Sequence, residues 1–455
     1  MKKIKEDNIS FFKHDIINSF IDLLKKKESK KLFNKIKKYH PSEIASYIQT
    51  LDKRHRKEFI KILSNDFDSR ILVELEPSFL GKIIREFNIN IISNAIKEMD
   101  SDDAASIINV LDVNTKQKVF TKISPNYRLL IEDNLSYREN TAGRLMQAEI
   151  VKIPLNFNVG QTIDFLRKKK QKLPKNFYDV FIVDKDNIFI GQIPLSKVVS
   201  SYKNKLISKL VNINQDSIHY SLDQEEVADI FRRKNLTSIA VVNDQMKLLG
   251  VINVEDVVDV IDTEAEEDIL KLAGVGEQNF YSAIFSVTKA RFTWLFFNLL
   301  AAFIVAYVIK NFESTIQEFA LLAAIMPLIA SMGGCCGTQS LTTVVRAIAM
   351  KQLTWSNAFR STVKEVLVGF FNGIIFSIVT FLITFTWFGD LKLSYIISIA
   401  LLLNLVFGSF FGAFIPIILT RFGIDPAFAS GTFVITFTDI FGFLLFLTLA
   451  TFYLV

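Results

Sequence analysis

The chain changes character near Gln278, and that change limits what it can fold into. Before this point it is charged and ordinary for a soluble protein. Beyond it, long apolar runs follow one another, and a membrane-spanning helix needs roughly 20 mostly apolar residues. Five such runs are predicted, at about 292–309, 319–347, 366–388, 393–419 and 426–454. The 42 phenylalanines and a mean hydropathy of +0.29 are high for a chain of this charge. Lys289, Arg291, Arg346, Lys351, Arg360, Lys364 and Arg421 fall on one side of alternating crossings, and mainly Lys310 and Lys392 on the other. Basic loop ends mark the cytoplasmic face. That places the N-terminus and the soluble half in the cytoplasm of a multi-pass protein of the cytoplasmic membrane, with the C-terminus outside. The opening MKKIKEDNISFFKHDII has no apolar core of signal-peptide length.

The soluble half divides by pattern. Lysines, which dominate the net charge of +6, crowd residues 1–40 as in LLKKKESKKLFNKIKKYH. A charge run of this kind reads as a solvated, Lys-rich helical extension. Over 41–137, the segments PSEIASYIQTL, PSFLGKIIREF and SDDAASIINVL each open on helix-start residues and continue with apolar residues at helical spacing. Helices this short should stack as a small superhelical bundle. Residues 138–203 and 204–261 repeat one another. VFIVDKDNIFIGQIPLSKVV (180–199) matches IAVVNDQMKLLGVINVEDVV (239–258), pairing Val183 with Val242, Gly191 with Gly250 and Ile193 with Ile252. Each copy reads helix, strand, turn, strand, helix, the β-branched runs and the turn before Gly marking a hairpin. Asp223 with Glu226 resembles a capping box. An acidic connecting helix is predicted over 262–282, and the membrane domain over 283–455.

Several functions find no support. No zinc-finger or other nucleic-acid motif accompanies the lysines, so no nucleic-acid partner is expected. His14, His40, His55 and His219 form no catalytic or metal spacing, and no Walker loop appears. An enzyme is therefore not expected. Adjacent Cys335 and Cys336 give neither a disulfide framework nor a soluble zinc site.

Two membrane motifs carry chemistry. Asp439 is the one acidic or basic residue between Pro426 and Val455. A carboxylate at membrane depth is costly and marks an ion or proton path. Its alternative role is helix packing, satisfied by Thr436 or Thr438. The second run carries SMGGCCGTQSLTTVVRAIA, where Gly333, Gly334 and Gly337 should weaken a helix. Irregular backbone at that depth survives only where it packs in protein or lines a water-filled cavity. Pro426 is placed to start the fifth helix.

The repeat resembles a tandem pair of CBS domains. The whole order of helical domain, CBS pair, acidic helix and five spans is similar to the MgtE family of magnesium channels or transporters, over about 41–455. TAGRLM (141–146), DQEEVADIF (223–231), VEDVVDVI (254–261), EAEEDILKLAG (264–274) and the two membrane motifs carry the resemblance. It implies a multidomain fold: an α-helical superhelical N-domain, an α/β CBS pair, an acidic connecting helix that plugs the pore, and an all-α five-span transmembrane domain. It implies a homodimer whose second and fifth spans line a central pore, with Asp439 as the pore aspartate. Gly333, Gly334, Cys335, Gly337, Gln339, Ser430 and Thr436 would line that pore. Magnesium would be both the transported ion and the regulator. As regulator it would bridge Asp102, Asp256, Asp259, Glu264, Glu267 and Asp268 and hold the pore shut. A nucleotide, ATP, at the CBS pair is a further implied partner.

Three positions depart from the family pattern. Cys335 stands where the family usually has Asn. It is expected to pack as a small buried side chain. Alternatively, its sulfur turns selectivity toward cobalt, nickel or zinc, because soft ligands favour transition metals. Ser106 and Asn235 stand at positions often acidic in relatives, which should weaken the bridging. A membrane-anchored metal sensor without transport is the alternative from another class.

Overall fold

The computed structural model describes residues 14–64, 66–169, 173–174, 176–211, 216–275, 284–428 and 431–454. Two compact units divide the chain, Met1–Thr263 and Glu264–Val455.

The first unit begins with helices His14–Lys25 and Ser29–Ile36. They are not the free, solvated extension that their lysines suggest. Phe20, Leu24, Leu32 and Ile36 recur at helical spacing and are buried. The Phe20 ring meets Tyr39 and Tyr47 edge-on, with centroids 5.7 and 5.1 Å away. Lysines tolerate this because their stems lie along the surface while the ammonium groups stay in water. The bundle continues through Pro41–Thr50, Pro77–Ile83 and Ser101–Val110, which start where the sequence signals placed them. His40 and Glu43 close a capping box around the first of these.

Two three-stranded sheets follow, each a parallel pair extended by an antiparallel hairpin. The first holds β1 (Lys152–Pro154), β2 (Asp179–Val183) and β3 (Phe189–Pro194), in that order. The second holds β4 (Ser217–His219), β5 (Ser238–Val242) and β6 (Leu248–Asn253). The repeat read from sequence recurs in the register: Ile182 faces Gly191 as Val241 faces Gly250, and each hairpin shifts register one residue later. Asp179 of β2 joins the copies by accepting from Ser238 Oγ at 2.6 Å. Asp223 caps the helix Gln224–Lys234 by accepting from the Glu225 amide. The acidic helix runs Val254–Leu272, so the two units divide within it. The expected connecting segment beyond 275 lies outside the described residues up to 283.

Among the described residues, the second unit holds five helices long and apolar enough to cross a membrane: Ile284–Lys310, Leu321–Ala349, Ala358–Phe388, Leu391–Arg421 and Gly431–Leu454. A short helix, Glu313–Glu318, precedes the second span. Pro426 begins a 3-10 turn, Pro426–Phe428, rather than the fifth helix, which starts at Gly431. The second, fourth and fifth spans share one core built on Leu322, Ile329, Ile397, Leu401, Phe446 and Leu447. The first span buries no residue within the chain.

Candidate cation-conducting and cation-sensing sites

The second span is helical through its glycines, contrary to the weakening that they suggest. Close packing explains both their presence and the continuity, since small residues let membrane helices approach. A Cβ on Gly334 would touch Ile435 of the fifth span at 3.4 Å, and one on Gly337 would lie 2.7 Å from Val434. Gly333 is turned to the fourth span, where Asn404 fills the space a Cβ would need. All three glycines are buried against neighbouring spans.

The face left open is polar. Ser331, Cys335, Gln339, Thr342 and Arg346 recur at helical spacing and are exposed on the single chain. Cys335 is therefore not the small buried side chain expected. Cys336 takes that role, its Sγ within 3.0 Å of Ser409 Oγ and 3.5 Å of the Leu405 carbonyl. A row of polar groups facing lipid is unfavourable; it belongs against protein or a water-filled cavity.

The fifth span presents Asp439, half-buried, with Oδ1 enclosed by protein and accepting no hydrogen bond. Neither threonine offered as a packing partner supplies it with one. Thr436 donates to the Thr432 carbonyl at 2.9 Å and Thr438 to the Ile435 carbonyl at 2.8 Å. Ser430 lies outside the described residues.

In the soluble unit, carboxylates from separate elements converge. Asp102 and Asp103 sit in the first turn of Ser101–Val110, and Asp256 and Asp259 in the first turns of Val254–Leu272. Burial, then the charges of Asp256 and Asp103, holds the Asp102 carboxyl well above its ordinary range. Its Oδ1 is buried without a partner. Burial, with Asp100, Asp259, Glu74 and Glu149 nearby, pushes Asp103 up to about 6. Burial likewise raises Asp256 to about 7, although its Oδ2 accepts from the Asn253 amide at 3.2 Å. Burial and then Asp262 raise Asp259, and burial and then Asp259 raise Glu74. Like charges crowded in low dielectric resist ionisation.

The membrane unit has its own acidic group. Glu267, Asp268 and Asp425 gather around Lys271, whose Nζ donates to Asp425 at 2.7 Å and pairs with Glu267. Burial, then Asp425, raises the Asp268 carboxyl despite that lysine. Glu264 lies three residues before Glu267 on the same helix and is half-buried. Sequence reasoning passed over Asp103, Glu74, Glu149 and Asp425. Asp103 was within sight, adjacent to Asp102 in SDDAAS. The others come from distant segments that only the fold brings close.

These carboxylates fit a hard cation in kind: oxygen ligands, excess negative charge and one buried oxygen lacking any donor. Among the described residues no three His, Cys, Asp or Glu side chains stand ready to hold one bare ion. The arrangement is one of facing acids rather than a closed ligand cage.

A helical domain and a CBS pair joined through an acidic helix to five spans, one bearing a half-buried carboxylate, define a multi-pass membrane transporter with a large soluble half. Comparison with known proteins gives its kind. The family described as MgtE, divalent cation transporter, matches residues 326–449, the MgtE intracellular N domain matches 39–140, and the CBS domain matches 210–263. The magnesium transporter MgtE of Enterococcus faecalis is 32% identical over 324 residues, covering 71% of each chain. That of Thermus thermophilus is 29% identical over 440 residues, covering 95% of this chain and 97% of its own. A crystal structure of the cytosolic domain of the Mg2+ channel MgtE in complex with ATP shares the fold, with a TM-score of 0.50 and 22% identity over 54% of this chain and 99% of that one. The chain belongs to the MgtE family, a family of transporters rather than enzymes.

Proposed function

We propose that this chain is a magnesium-selective, magnesium-gated import channel working as a homodimer in the cytoplasmic membrane. The soluble unit lies in the cytoplasm and the C-terminus outside. The observation that carries the reading is Asp439, a carboxylate with a donorless buried oxygen in the fifth span, beside a second span whose open face is polar. Two copies of this pairing about a two-fold axis enclose a path with a carboxylate from each protomer. Magnesium prefers oxygen and sheds water reluctantly, so Asp439 engages it through its hydration shell. Cys335, Gln339 and Thr436 line the same path, and Gly333, Gly334, Gly337 and Ser430 belong to the motifs that shape it.

Gating follows from the acids. With the regulatory sites empty, Asp102 and Asp103 repel Asp256 and Asp259, and the soluble half loosens. A bound divalent cation supplies the positive charge that these groups lack. Asp102, Asp256, Asp259, Glu264, Glu267 and Asp268 then draw together, and the 262–282 segment holds the path shut. The domain limits 41–137, 138–203, 204–261 and 283–455 are proposed on the same reading. The solved MgtE relative holds ATP, and on that relationship alone the CBS pair here is a candidate ATP site.

A second reading, transport of cobalt, nickel or zinc, has one observation in its favour: Cys335 is exposed on the open face of the second span. Flux into liposomes at low internal magnesium tests both readings. Magnesium entry that disappears in Asp439→Ala supports the channel; cobalt entry without magnesium favours the second; neither ion entering leaves a membrane-anchored sensor.

A further inference from the structure

Among the described residues, two side-chain oxygens of the membrane unit are buried with no donor: Oδ1 of Asp439 and Oδ1 of Asn404. Asn404 lies in the middle of the fourth span and is 1% exposed. Its Nδ2 donates to the Ile329 carbonyl of the second span at 2.8 Å. Two glycines make room for the amide. A Cβ on Gly333 of the second span would lie 2.2 Å from Nδ2, and one on Gly442 of the fifth would lie 2.7 Å from it. The amide is thus a peg set between three spans.

Packing alone does not call for an amide here. The bond to the Ile329 carbonyl accounts for Nδ2 but leaves Oδ1 buried without a donor, which is destabilising. The fifth span shows what the amide adjoins. Ile435, Asp439 and Gly442 follow one another at helical spacing on one stripe. Ile435 meets Gly334 and Gly442 meets Asn404. Asp439 therefore stands between two contacts that tie its helix to the 333–334 turn and to the peg.

We propose that Asn404 is a positioning residue for the transported cation, acting through Asp439. Its amide fixes the turn of the fifth span that carries the carboxylate. This inference rests on the reading of Asp439 as the pore residue. Residues that orient a metal-binding group typically change affinity by about tenfold or more when lost.

The test is magnesium and cobalt flux per folded protein, in reconstituted full-length chain, for Asn404→Leu, Gly442→Ala and Asp439→Ala. Asn404→Leu is expected to raise the half-saturating magnesium concentration about tenfold and to narrow the preference for magnesium over cobalt. Gly442→Ala, which pushes on the same amide, is expected to move both quantities the same way by less. A folded Asn404→Leu protein with native half-saturation and native ion preference overturns the inference, even if its yield is lower. Should that variant fail to fold, Gly442→Ala decides: a shift supports the peg, and native values overturn it. Normal flux in Asp439→Ala overturns the reading beneath the inference. Lost flux there, with Asn404→Leu unshifted, overturns the inference alone.

Discussion

The soluble unit and the fifth span handle carboxylates in opposite ways. The soluble unit gathers Asp102, Asp103, Asp256, Asp259 and Glu74, from segments far apart in sequence, so that burial and mutual repulsion raise their pKa values above the ordinary carboxylate range. The fifth span carries one acid, Asp439, among glycines and threonines. Crowding suits a sensor, since facing acids are stable together only when something positive joins them. Isolation suits a conduction site, since an ion must leave as readily as it enters.

The largest expected effect breaks the membrane half of this contrast. Asp439→Ala should lower magnesium flux by at least about 100-fold, because the pathway loses its sole intramembrane charge on that span. Asp439→Asn should recover little, and flux assays on the reconstituted protein check both.

Next comes the soluble half. Asp103 and Asp256 have folded-state values of about 6 and about 7, above those of an unfolded chain. Between about pH 4 and pH 7 the folded state then holds more protons than the unfolded one. Stability without divalent cation should therefore fall as pH rises through that window. Thermal melts at pH 5 and pH 8 should differ by several degrees, given shifts of about 2–4 °C per kcal/mol for a domain of this size. Millimolar-range magnesium should reduce the difference. A melt that rises with pH in the absence of metal would break the picture of repelling acids.

Asp103→Asn sharpens the same point. Removing one like charge should stabilise the metal-free protein modestly while weakening magnesium's protection against protease. The smallest effect concerns Cys335. Restoring Asn there should shift the magnesium-to-cobalt flux ratio toward magnesium by a few-fold, consistent with soft sulfur favouring transition metals. An unchanged ratio removes the second reading.

Much of this architecture was legible because its signals are periodic and local. The five spans announce themselves by length and composition, and the CBS repeat by matched hairpins whose observed register reproduces the sequence pairing. Helix starts at Pro41, Pro77 and Ser101 were read from single residues. What stayed hidden depends on partners. The Lys-rich opening looked solvated because its lysines mask the apolar residues set among them, yet Phe20 lies in the core. The GGCCG motif suggested irregular backbone, and only its packing against the fourth and fifth spans explains why its glycines remain helical. Which of two adjacent cysteines faces outward is set by helix rotation, to which composition is blind. Glu74 and Asp425 carry no local pattern at all.

The most direct test is magnesium entry into liposomes holding the full-length protein, measured at low internal magnesium for the native chain and for Asp439→Ala side by side. The account predicts entry in the native protein and its loss in a variant that is still folded and dimeric. Equal entry in both would contradict it, since the path would then run without the carboxylate on which the reading of the membrane half rests.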